Sequence, residues 1–192
     1  MDPTRTPPPP SPARQRLTAE ERRSAILNAA KRVFGDAGYH ETTTRDIAAA
    51  AGVSEALLYH HFEGKRQLFE ELIHAAAANL EGRLFVARQA DDPEAAGVGA
   101  YFDFVEEEAP LYRAFLRETL QADPAFRNLY VDISRRLVHL TDPQRPGEVG
   151  TRALIGLITE LALWWVEQRP LPKEEMVQQA TRMVRAICDL ED

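Results

Sequence analysis

Residues 43–65 read TTRDIAAAAGVSEALLYHHFEGK, and this stretch decides the fold. Thr43 and Asp46 have the spacing of a capping box, with Asp in place of the usual Glu, so a short helix opens there and runs to Ala51. Gly52 can supply the positive φ that a tight turn needs. Ser54 is a good N-cap for a further helix running to about Phe62. On that helix Val53, Leu58 and Phe62 fall on one side, toward Ile47 and the preceding long helix. Ser54, Glu55, Leu57, Tyr59, His60 and His61 are left facing outward or sideways, a polar and aromatic face that a core helix does not need.

Two short helices about a tight turn, the second with a decorated outer face, have the shape of a helix-turn-helix DNA reader. A helix fits the major groove, and residues near its N-terminus reach base edges, which assigns Ser54, Glu55, Leu57 and His60 to base reading. Thr43, Thr44 and Arg45 open the preceding helix and would lie over the sugar-phosphate backbone, where a helix N-terminus favours anions. Tyr59 can donate its hydroxyl to a phosphate and Lys65 can neutralise one. Glu55 can accept from a cytosine amino group but repels phosphate, and Leu57 can touch a thymine methyl.

Outward from this segment the pattern stays helical. Thr18 and Glu21 form another capping box, followed by Ile26, Ala30, Val33, Phe34 and Ala37 on one face, with Gly38 as the stop. Residues 1–16 are proline-rich and predicted to be a disordered tail, from which Arg14 and Arg16 could reach phosphates or a minor groove. Downstream, helices are predicted at 65–90, 94–108, 110–121, 124–140, 149–168 and 173–190, separated by Pro- and Asp-Pro-containing breaks. No alternating strand pattern appears. The expected architecture is all-α: a three-helix DNA-binding domain over 17–64, then a helical bundle over 65–192 for ligand binding and dimerisation.

Composition narrows the function. Hydrophobic residues make up 44% of the chain, a globular composition, and the net charge is -7. The charge is unevenly spread: residues 1–66 hold 10 Lys/Arg against 8 Asp/Glu, the remainder 13 against 22. A mildly basic end on an acidic body fits contact with DNA through one end only. No run of about 18 apolar residues is evident, and the N-terminus has no apolar leader core. Cys188 stands alone, so the expected setting is the cytoplasm, with no membrane partner. No nucleophile–base pairing, Gly-rich phosphate loop or HExxH is present, so an enzyme is not expected. Adjacent His60 and His61 project to different sides of a helix, and neither a metal site nor a cofactor is expected. Glu106, Glu107 and Glu108 read as a solvated helix end.

Ala30, Phe34, Gly38, Tyr39, Ile47, Ala48, Ala51, Gly52, Val53, Ser54, Leu58, Tyr59, Phe62, Lys65 and Leu68 stand in an order and spacing that resembles the tetracycline-repressor (TetR) family of bacterial transcription regulators. The resemblance covers roughly residues 20–70. It implies a homodimeric repressor or activator on a palindromic operator, contacting DNA through Thr43, Arg45, Ser54, Tyr59, His60 and Lys65. It also implies an apolar effector cavity in the later helices and a dimer formed by the last of them. Glu55, Ala56 and Leu57 depart from the family pattern, which often has a neutral or basic residue, Gly and Thr there.

For the acidic portion two roles are physically natural. The stretch Ala153 to Val166, ALIGLITELALWWV, is apolar nearly all round and must be buried on several sides. Together with the last helix it offers a four-helix dimer interface through Leu154, Leu157, Ile158, Leu161, Trp165, Met176, Ala180, Met183, Val184 and Ile187. A ligand pocket is expected among the aromatics Phe102, Phe104, Tyr112, Phe115, Phe126, Tyr130 and Trp164. The expected function is a sequence-specific regulator, a homodimeric repressor released from its operator by a small apolar effector. The alternative is a DNA-binding regulator without a small effector, controlled by abundance or by a partner protein.

Overall fold

A computed structural model describes residues 18–120, 124–141 and 148–189. The predicted tail with Arg14 and Arg16 lies outside them, as does the break at 142–147. The described residues form helices α1 (Ala19–Glu41), α2 (Thr44–Ala51), α3 (Glu55–His61), α4 (Lys65–Ala87), α5 (Pro93–Glu107), α6 (Ala109–Leu120), α7 (Pro124–Thr141), α8 (Glu148–Gln168) and α9 (Lys173–Asp189).

The helix starts are set locally, as the sequence predicts. Thr18 and Glu21 exchange both bonds of a capping box, and so do Thr43 and Asp46. The Thr43 hydroxyl, then its backbone N–H, hold the Asp46 carboxyl below its ordinary range. Gly52 ends α2 in the left-handed region at φ 67° and ψ 31°, and the Ser54 hydroxyl accepts from the Leu57 N–H to open α3. Gly38 does not end α1 outright. It breaks the helix at φ 82° and ψ 173°, a region essentially reserved for glycine, and one further turn follows to Glu41.

Two apolar cores result. The first gathers Ile26, Phe34, Ile47, Leu58, Phe62, Leu68 and Phe69 with Leu111, Phe115 and Phe126 from α6 and α7. The reader is therefore not a free-standing domain ending near residue 64: α6 and α7 complete its core. At Gly35 of α1 an added Cβ would lie 2.6 Å from the Pro110 Cβ, so α1 and α6 meet at backbone distance. The second core gathers Leu80, Leu84, Val98, Phe102, Trp165, Met176 and Ala180. Helix α4 belongs to both, its first half in one and its second half in the other. Fully burying side chains such as Phe34, Phe69 and Trp165 stabilises the fold by about 1.5–3 kcal/mol or more each.

Several expected roles change with this packing. Phe126 is 1% exposed and stacks edge-on against Tyr39 and Phe69, so it belongs to the first core and not to a pocket. Phe102 packs on Trp165 with ring centres 5.5 Å apart, which buries both in the second core. Trp165 also donates its indole N–H to the Leu171 carbonyl at 3.0 Å. Met176 and Ala180 are buried on the inner side of α9. None of these three is open to a second copy. Trp164, one residue from Trp165, turns outward and is 43% exposed, as is Met183 of α9.

Glu106, Glu107 and Glu108 are more than a solvated helix end: Glu107 is exposed, yet all three are ion-paired. Glu106 accepts from Arg169 at 2.6 Å and Lys173 at 2.9 Å, Glu107 accepts from Arg83 of α4, and Glu108 accepts from Lys31 of α1 at 2.6 Å. The three carboxylates tie the end of α5 to the α8–α9 turn, α4 and α1. Within α8, Val149–Gln168 is long and apolar enough to cross a membrane by length and composition, with a mean hydropathy of 1.3. In the fold its apolar side chains are shared among the second core, the cavity described below and an outward strip.

Candidate nucleic-acid interface and interior cavity

The predicted reading surface is brought together. Ser54, Tyr59 and His60 are exposed on α3, with Tyr59 at 52%, while Leu57 and Glu55 are half-buried. Leu58 and Phe62 fix the helix from below, at 0% and 2% exposure. Arg23 of α1 adds a clamp: its guanidinium lies 4.7 Å from the Phe62 ring centre and donates to Glu71 of α4 at 2.6 Å.

The start of α2 and the start of α3 are wired to each other. Thr44 donates its hydroxyl to Glu55 Oε1 at 2.7 Å, and the Thr44 and Tyr59 hydroxyls are 3.2 Å apart. Arg45 Nε stands 4.0 Å from Glu55 Oε2, on a side chain that is 86% exposed. Glu55 thus occupies the Thr44 hydroxyl with its own carboxylate and places a negative charge near Arg45. Thr43 keeps its hydroxyl inside the capping box, so what it leaves for an anion is the open N–H end of α2.

Lys65 lies against the end of α1. Its Nζ donates to the carbonyls of Tyr39, His40 and Thr42 at 2.9, 3.1 and 3.0 Å. An ammonium has three donors, and all three close the last turn of α1. These bonds cap the orphan carbonyls of a helix end.

A half-open cavity of about 260 Å³ lies between α4, α5, α6, α7, α8 and α9. Four of the expected pocket residues line it: Phe104, Tyr112, Phe115 and Tyr130. Phe102, Phe126 and Trp164 do not, for the packing reasons given above. Leu154, Ile158 and Val184, expected at a dimer face, line the cavity instead. The sequence reading missed the α4 contribution (Ile73, Leu80, Leu84) and Tyr101, Thr159 and Glu108. Tyr101 directly precedes Phe102 in the same aromatic stretch; a hydrophobic helix such as α4 carries no signal that one side faces a void.

The polar groups in the wall are mostly paired. The Tyr101 and Tyr112 hydroxyls are 2.9 Å apart, Tyr112 donates to the Thr159 carbonyl at 3.4 Å, and the Tyr130 and Thr159 hydroxyls are 3.2 Å apart. Removal from water pushes the Tyr101 hydroxyl up to about 12 and raises Tyr112 as well. These hydroxyls are neutral at any physiological pH. Among the described residues no cluster of three His, Cys, Asp or Glu side chains is arranged to hold a metal ion.

The outward strip of α8 and α9 carries Trp164 and Met183, with Ala153, Gly156 and Ala186 exposed around them. Small residues beside a large aromatic leave room for close helix approach.

Residues 26–72 match the family described as bacterial regulatory proteins, tetR family. The HTH-type transcriptional activator FasR of Mycolicibacterium smegmatis is 35% identical over 113 residues, 57% of this chain and 52% of that protein. The HTH-type transcriptional regulator BetI of Rhizobium meliloti is 33% identical over 123 residues, 60% of each. The matches thus span little more than half the length of these curated relatives. Over the whole fold, a tetR-family transcriptional regulator from Streptomyces coelicolor superposes with a TM-score of 0.76 at 30% identity, covering 91% of this chain and 83% of that one. With the reader motif, the helical body and this whole-length likeness in agreement, the chain belongs to the tetR family of bacterial regulatory proteins.

Proposed function

We propose that the protein is a cytoplasmic, homodimeric transcriptional regulator, without enzymatic activity, that binds a palindromic operator and releases it when a small apolar effector fills the cavity. The observation that carries this reading is the cavity itself. Its wall includes Ile73, Leu80 and Leu84 of α4, and α4 starts at Lys65, directly beneath the reader. An occupant that favours one position of α4 biases the position of α2 and α3 by the difference in its affinity for the two arrangements.

On the operator, α3 lies in the major groove with Ser54, Glu55, Leu57 and His60 toward the bases. Thr43, Thr44, Arg45 and Tyr59 flank the phosphates. Two copies pair through the exposed strip of α8 and α9, which holds Leu157, Trp164, Met183 and Ile187. The two readers then sit roughly 34–36 Å apart, one turn of DNA. The interior cavity favours an effector-controlled protein over one controlled by abundance or a partner protein alone.

The test is selection of genomic fragments by the purified protein, followed by titration of the selected site with apolar compounds. Enrichment of a palindrome, and loss of binding with at least one compound that occupies the cavity, is the expected result. Binding unchanged across a broad compound set, with occupancy demonstrated, overturns effector control.

A further inference from the structure

Exposure locates the mouth of the cavity. Among its described wall residues only Arg88, Pro93 and Glu94 are exposed; the others are buried or half-buried. The opposite end is closed by Ile73, Leu111, Phe115 and Ile133, buried members of the first core. Helix α4 runs the whole way between the two ends. Its wall residues Ile73, Ala77, Leu80, Leu84 and Arg88 follow at three- or four-residue steps, a single stripe of the helix. From Ile73 to Arg88 that stripe is about 22 Å long, at the helical rise of about 1.5 Å per residue. A space of about 260 Å³ drawn out over such a length is narrow. It suits an unbranched chain lying along α4 better than a fused ring system.

The charges at the mouth select the head group. Glu94 stands 3.5 Å from Arg185 Nε of α9, and Asp92 beside it accepts from the same guanidinium. Both carboxylates at the start of α5 are thus held by α9. Glu108, the other carboxylate of the wall, pairs with Lys31 at 2.6 Å. Arg88 is the one cation among the described wall residues, and it is exposed, so a molecule entering from water meets it. A cationic head is repelled there and finds Asp92 and Glu94 already engaged. A neutral head gains no charge contact. A carboxylate carries the single charge and the planar pair of oxygens that one guanidinium fork matches. Its chain meanwhile leaves water for the apolar wall.

We propose that the cavity takes an unbranched apolar chain along α4, with a carboxylate head at the mouth on Arg88. The proposal rests on the cavity being the effector site, and it names the ligand class of that site.

The test titrates the full chain by calorimetry with decanoate, decanol, decylammonium and naphthoate, each below its micellar concentration. Decanoate is expected to bind tighter than decylammonium and tighter than naphthoate. Arg88→Gln is expected to weaken decanoate about fivefold, the measure of one exposed ion pair, and to leave decanol unchanged, which reports an intact cavity. Arg88→Glu is expected to reverse the order of decanoate and decylammonium. Arg152→Gln, on α8 and outside the cavity wall, is expected to change neither. If Arg88→Glu does not fold, the wild type and Arg88→Gln carry the test. Decanoate affinity unchanged in Arg88→Gln, or lowered as much in Arg152→Gln, overturns the head assignment and leaves the cavity's effector role standing. Naphthoate binding tighter than decanoate overturns the unbranched chain. Failure of every probe to bind overturns both the ligand class and the effector role.

Discussion

Lys65 holds Tyr39 twice: its Nζ donates to the Tyr39 carbonyl at 2.9 Å and lies 4.5 Å from the centre of the Tyr39 ring. With the His40 and Thr42 carbonyls also bound, the side chain fastens the end of α1 to the start of α4. Lys65→Met should therefore cost about 1.5–3 kcal/mol of stability, the range for hydrogen bonds to a charged group. The dependence of operator affinity on salt should stay as it was. Urea denaturation and anisotropy titrations over a salt series measure the two effects; a slope shallower by about one phosphate would restore Lys65 as a backbone contact.

Glu55 engages the Thr44 hydroxyl at 2.7 Å and stands 4.0 Å from Arg45, both on the surface proposed to face DNA. Glu55→Gln removes the negative charge and loosens both. Affinity for DNA of arbitrary sequence should rise and the salt dependence should steepen, because a negative charge beside Arg45 and the phosphates is gone. The contrast between operator and arbitrary DNA should shrink. An equal loss of affinity on every sequence would instead mean that Glu55 only braces α2 against α3.

Trp164 and Trp165 are adjacent in sequence and opposite in role. Trp165 is 1% exposed and Trp164 is 43% exposed. Trp165→Ala should destabilise the folded chain by about 3–5 kcal/mol through the cavity it leaves. Trp164→Glu should leave the protomer's helical content in place and convert the dimer to monomers, with loss of tight operator binding. Sedimentation velocity beside circular dichroism separates the two outcomes.

Stability should fall at alkaline pH because of the tyrosines in the cavity wall. Tyr101 is raised to about 12 by removal from water. An unfolded chain ionises tyrosine near about pH 10. Between these values the unfolded state has lost the proton that the folded state retains, so the contribution is complete below about pH 10 and declines as pH rises toward 12, by up to about 1.4 kcal/mol per pH unit. Tyr101→Phe should flatten the decline, as measured by denaturation midpoints between those pH values.

The contrast between what sequence shows and what it hides follows the range of the forces involved. The capping boxes at Thr18 and Thr43, the left-handed Gly52 and the Ser54 cap are made within a few residues, so the reader was legible. The outward face of α3 followed from helical period alone. The cavity was half legible, because aromatic content does not say which core a ring enters. Phe115 and Phe126 are close in sequence, yet Phe115 reaches the cavity and Phe126 joins Tyr39 and Phe69. Lys31 and Glu108 are 77 residues apart, and no local pattern marks such a pair. Lys65 kept its family position while its donors went to carbonyls that only the bend after Gly38 brings within reach.

The bare backbone contact at Gly35 gives the molecule a joint without play. Nothing larger than hydrogen fits between Gly35 of α1 and Pro110 at the head of α6, so under the effector control proposed above a shift of α6 acts on α1 at this point. Three residues on, Gly38 breaks the same helix. The result is a rigid splice followed at once by a pivot. Under that proposed control the lever on the reading helices begins at Gly38, a few residues before Thr43.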